Sequence, residues 1–126
     1  MIAAPSLMPR PAGRPPVVPA MVVEDLPSGL RPVALPPLVE DQGGAPVLVL
    51  RYVAPEIARA RGLYDFTALE QDFQVLCTRD APADGPEQVV VILMERAVPR
   101  GQAAPGVTQY FESLRRTPDG CEWEGL

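Results

Sequence analysis

A chain of 126 residues with a net charge of −5 fits one small domain. It contains neither His nor Lys, which excludes Ser–His nucleophilic catalysis and Schiff-base chemistry, and two Cys without a His cannot form an ordinary tetrahedral zinc site. All cations are Arg, and residues 61–126 carry six of them against eleven acids, a balance that argues against nucleic acid and anionic membrane as partners.

Residues 1–30 are dense in proline, which forbids helix and central strand and favours extended polyproline II conformations. They are expected to form an arm, leaving residues 31–126 as a single domain. The run RPPVVP within it suits an aromatic-lined groove, against the plainer reading of tail or spacer. No run is long enough to cross a bilayer, and the first thirty residues lack the uninterrupted apolar core of a signal peptide. If the protein is exported, its leader is expected to have been removed or to lie upstream.

The stretch from Arg31 to Glu40 has strand composition, but Pro36 and Pro37 remove two ladder donors and place it at a sheet edge. A turn over 41–46 then leads into a second strand, Val47–Val53, which gives a hairpin with a longer loop. Arg51 and Tyr52 lie near the end of that strand, where polar side chains can project into a cleft and serve as surface contacts. Pairing of Arg51 with a nearby carboxylate is the structural alternative. Pro55 suits a first helical turn, and a short helix is expected to stop at Gly62.

The main helix is read over Phe66–Thr78, with Asp65 and Thr67 both offering N-caps. At 100° per residue, Phe66, Leu69, Phe73, Leu76 and Cys77 share an apolar arc, while Glu70, Gln71, Asp72 and Gln74 fall on the wet side. The central strand is QVVVILMERAV, Gln88–Val98, whose run from Val89 to Met94 is apolar on both faces and needs cover on both. With one clear helix, the second cover is expected from the arm, from the Pro55 helix or from another subunit. Residues 107–116 match helical spacing as well as strand composition; the turn at Thr117–Gly120 and the alternating CEWE that follows favour a closing hairpin.

Cys77 ends the apolar face of the helix and Cys121 opens the last strand. As a disulfide they would tie helix to sheet and stabilise by on the order of 4 kcal/mol, and a pair of buried free thiols in a cytosolic protein is the alternative. Trp123 reads as core or as a lid over it, with a binding-site contact as the other reading. Asp65, Asp72, Asp80, Asp84, Glu87 and Glu95 could in principle serve acid–base catalysis, but caps, loop acids and solvated charge account for them as well. The sequence has no phosphate-cradling glycine loop and no dinucleotide fingerprint, and no cofactor is expected.

The segments PSGLRPV, RYVAPEIA, LYDFTALEQDFQVLC, ERAVPRGQAAPGVTQYFES and DGCEWE, in that order, resemble a small alphaproteobacterial family of unknown function across residues 27–126. In that family an Ala-Pro-Glu-Ile segment, a Leu-Cys at a helix end and a final Cys-x-Trp-Glu recur, matched here by Ala54–Ile57, Leu76-Cys77 and Cys121–Glu124. The resemblance implies export to an oxidising periplasm, supports pairing of Cys77 with Cys121, and brings no catalytic residues. Some members carry the name acetolactate synthase, but a thiamine-diphosphate enzyme needs a Gly-Asp-Gly type motif, which this sequence lacks. The expectation is an α+β domain with one main helix on a mostly antiparallel sheet of four to five strands. It would serve as a periplasmic or envelope-associated binding or structural module, contacting an unknown protein partner or itself. A small enzyme with a carboxylate-based site is the alternative function, and the cytoplasm the alternative location.

Overall fold

The computed structural model describes residues 25–59 and 64–124. Residues 1–24 of the expected arm and Gly62 lie outside the described residues. The fold is α+β: a six-stranded mixed sheet carries one long helix on one face. The strands are β1 (Val33–Ala34), β2 (Leu38–Gln42), β3 (Ala45–Val53), β4 (Gln88–Met94), β5 (Gln109–Thr117) and β6 (Gly120–Trp123). A single-turn helix α1 (Glu56–Arg59) and the main helix α2 (Phe66–Asp80) lie between β3 and β4.

The central pair is parallel. β3 and β4 run side by side from Val47 opposite Gln88 to Val53 opposite Met94. Parallel strands need a long crossover, and α2 supplies it. The four other pairings are antiparallel. The edge stretch expected as one strand is two, because Pro36 and Pro37 interrupt the ladder between β1 and β2, and both pieces pair with β3. The closing hairpin forms as expected: β5 joins β6 through Pro118 and Asp119, and β5 lies beside β4.

Alternation along the strands divides the apolar residues into two cores. Leu48, Leu50 and Tyr52 of β3, Val89, Val91 and Leu93 of β4, and Leu114 of β5 face α2, where Leu69, Phe73, Leu76 and Cys77 meet them. Leu26 and Leu30, which the sequence reading assigned to the end of the arm, are buried in this same core. The opposite face carries Val47, Val49, Ile92 and Met94.

The short helix α1 packs on the first face through Ile57 and leaves the second to another stretch. β4 ends at Met94, short of the expected Val98, and the chain after it folds back so that Val98, Ala104 and Val107 lie over the face. Glu95 closes this loop at its base, its backbone N–H donating to the Thr108 carbonyl (3.0 Å) and its Oε1 accepting from the Thr108 N–H (2.8 Å). Arg100 fastens its far end to β2 with a two-pronged bond to Glu40, 2.7 and 3.2 Å. That guanidinium holds the Glu40 carboxyl below its usual pKa.

Candidate functional site

Asp65 caps α2, its Oδ1 accepting from the Ala68 N–H at 2.9 Å. The last turn of this fifteen-residue helix delivers Cys77, Thr78 and Asp80 to the rim of the sheet. There Cys77 is bonded to Cys121 of β6, with Cα atoms 6.0 Å apart. Two further bonds hold Cys121: its backbone N–H donates to Thr78 Oγ1 (3.1 Å), and its carbonyl accepts from Gln74 Nε2 (2.8 Å). The outer edge of a terminal strand ordinarily presents unpaired backbone groups. Here the helix satisfies them at Cys121. Gly120 makes this approach feasible, since its φ is +128° and a Cβ there would sit 3.1 Å from Thr78 Oγ1.

The disulfide lies at the floor of an open groove of about 810 Å³, bounded by the end of α2, the loop after it and the β5–β6 turn. Arg116 builds one wall, donating from Nε to the Pro86 carbonyl (3.3 Å) and from Nη2 to the Gly85 carbonyl. Its charge is directed into loop carbonyls that carry only partial negative charge.

Two other acids are spent on structure. Tyr52, expected at the surface, is buried with 1% of its area exposed, because the alternation that sends Leu48 and Leu50 towards α2 sends it there too. Its hydroxyl donates to Asp80 Oδ2 at 2.6 Å, and burial raises the phenol's pKa so that it stays protonated. Asp72, assigned by periodicity to the wet side of α2, is fully buried. Its carboxylate accepts from Ser28 twice, from the backbone N–H at 3.0 Å and from the hydroxyl at 2.5 Å. Ser28 Oγ in turn accepts from the Leu30 N–H (3.1 Å), so this acid pins the turn that carries Leu26 and Leu30 into the core.

Burial pushes the Asp72 carboxyl above its ordinary pKa, only partly offset by the two bonds from Ser28. A carboxyl with a pKa higher in the folded than in the unfolded chain contributes most to folding below its unfolded value. That contribution is lost as pH rises from about 4 through the folded pKa. Asp72→Asn should retain a Ser28 bond and remove this slope. Urea unfolding at several pH values is expected to show the difference between wild type and variant changing across that window; a constant difference would mean that Asp72 titrates as it does in the unfolded chain.

The remaining residues singled out in the sequence separate in space. Trp123, on β6 opposite Leu114, is 41% exposed and forms no part of the core. Arg51 points to the second sheet face, with Glu40 paired to Arg100 instead of to it. Its one hydrogen bond among the described residues runs from Nη2 to the Pro36 carbonyl, 3.3 Å, and its Nε is buried with no partner. Reading the sequence missed Asp72 and Gln74 as structural bonds, and the only signal for them was their position one turn before Leu76 and Thr78. Among the described residues no cluster of His, Cys, Asp and Glu could hold a metal ion, and no helix is long and apolar enough to cross a membrane.

A protein-family model described as a family of unknown function (DUF6497) matches residues 10–126. No curated protein and no solved structure matches the chain.

Proposed function

The chain belongs to the family of unknown function DUF6497, and on that premise we propose that it is a non-enzymatic binding or structural module of the cell envelope, exposed to an oxidising compartment. The observation that carries this reading is the Cys77–Cys121 disulfide, which joins the end of α2 to the terminal strand. Reducing compartments keep such pairs open, whereas exported domains of this size use them to close a small core. The division of the chain into a proline-rich arm over 1–30 and a domain over 31–126 belongs to the same reading, although Leu26 and Leu30 extend the packed part backwards into the arm.

A binding role is favoured over a carboxylate-based enzyme by how the buried acid is used. Acid–base catalysis calls for a carboxyl of shifted pKa facing a cleft. Asp72 has the shift, but both its oxygens are held by Ser28 and it lines none of the three clefts described among these residues.

Osmotic-shock fractionation of the host, followed with an antibody to the chain, tests the location. Release of the chain with the shock fluid or its recovery with the envelope is expected. Recovery with the spheroplast cytosol would overturn the proposal.

A further inference from the structure

Arg51 sits in an unusual position for a cation. The strand that carries it places it beside the apolar cluster of Val47, Val49, Ile92 and Met94, with Glu40, Arg100 and Gln109 at the margin of the same face. Among the described residues its Nε is buried without a partner, and the guanidinium makes one long bond, to a neutral carbonyl, while it acts on Glu40 only through space. Partly dehydrated Arg normally stands against a carboxylate, because the planar fork matches two oxygens at once. The neighbouring Arg100 shows the satisfied form, with both prongs on Glu40. Glu40 is therefore already engaged. Two guanidinium groups and one carboxylate leave a net positive charge at this place.

The same Arg51 lines a cleft of about 170 Å³ between the sheet and the loop that follows β4. Ile92, Met94, Val98 and Phe111 give it apolar walls, and Gln102 and Gln109 add amide groups. Phe111 is 49% exposed at this place, so one wall is an aromatic ring reachable from solvent. A cavity of roughly 150 Å³ accommodates a benzene-sized body. The volume is thus suited to one ring or a short aliphatic chain with a charged head.

We propose that this cleft is a binding site for a small monocarboxylate with an apolar body, the carboxylate placed against the Arg51 guanidinium and the body against Ile92, Met94 and Phe111. A phosphate or sulfate would leave the apolar walls unused, and a neutral ligand would leave the charge of Arg51 uncompensated. The site deepens the binding reading given above and rests on it only for its biological setting. A chain found in the cytosol would refute that location and leave the site standing, whereas failure of the titration would remove the site and leave the location untouched.

The test is a titration of the full-length protein with benzoate, followed in 1H–15N correlation spectra, with benzamide and inorganic phosphate as separate arms. Benzoate is expected to shift resonances of Arg51, Gln102, Gln109 and Phe111 saturably, and benzamide and phosphate are expected not to. Arg51→Gln should weaken the benzoate response by about tenfold or more, as expected for loss of a charge-assisted contact. Since Arg51→Gln could disturb the sheet, Gln102→Glu serves as a second variant on an exposed loop position that lines the same cleft, where an added negative charge repels benzoate and should likewise abolish binding. A peptide ending in a free apolar residue, compared with its C-terminal amide, separates a free small acid from a chain terminus as the source of the carboxylate; a response to either source supports the site. Equal responses to benzoate and benzamide, no response to any carboxylate, or undiminished benzoate binding by Gln102→Glu would overturn the proposal.

Discussion

The double variant Cys77→Ser/Cys121→Ser is expected to lose on the order of 4 kcal/mol of stability, seen as a fall of roughly 1.3 to 4 M in the urea midpoint. The bridge spans a sequence separation of 44, and the loop-entropy relation gives this magnitude for a closed loop of that length. Small domains have only about 5–15 kcal/mol in total, so the variant would sit close to the limit of folding. The consequences would be concentrated at the end of α2. Without the bridge, β6 retains its ladder to β5 and the two bonds that Thr78 and Gln74 make to Cys121. Each such bond contributes about 1 kcal/mol, too little to replace a covalent tie. A loss below about 1 kcal/mol would mean that these contacts hold the terminal strand unaided.

The second large effect separates two phenylalanines that look alike in the sequence. Phe66 and Phe73 lie on one arc of α2 and their rings stand 5.6 Å apart. Phe73 is fully buried in the core where α2 meets the sheet, while Phe66 opens the helix and is 37% exposed. Phe73→Ala is expected to cost about 3–5 kcal/mol through lost transfer energy and the cavity left behind. Phe66→Ala should cost no more than about 1.5 kcal/mol, mostly the ring pair and a partial burial. Thermal or urea unfolding of the two variants side by side checks the ratio, and equal losses would contradict the placement of α2 on the sheet.

The parts of this fold legible in the sequence are those with a dense local signal. The apolar run Val89–Met94 marks the central strand, the cap at Asp65 and the spacing from Leu69 to Cys77 mark α2, and Thr117–Gly120 marks the closing turn. Pro36 and Pro37 identify an edge, since no central strand tolerates two missing donors. The parallel pairing of β3 with β4 also has a signal in the sequence. Two strands apolar on both faces with a helix between them form the pattern of a crossover unit.

What could not be read depends on contacts distant in sequence. Asp72 is adjacent on the helical wheel to Leu76, about 40° beyond it, and only the turn around Ser28 converts that border position from wet to buried. Nothing local to residues 95–108 says that the chain turns back over the second face. That depends on Arg100 finding Glu40, sixty residues earlier. Arg51 and Tyr52 both lie near the end of a strand, which in the sequence suits either of them as a surface contact. Strand alternation sends them to opposite faces, one into the core beside Asp80 and the other into the cleft.

The account turns on a small core that a sulfur bridge holds closed in an oxidising compartment. Intact mass of the chain isolated from its own host, alkylated under denaturing conditions without prior reduction, tests this most directly. The account predicts that neither Cys77 nor Cys121 takes up the alkylating group until a reductant is added. A chain recovered with both cysteines alkylated before reduction would contradict it.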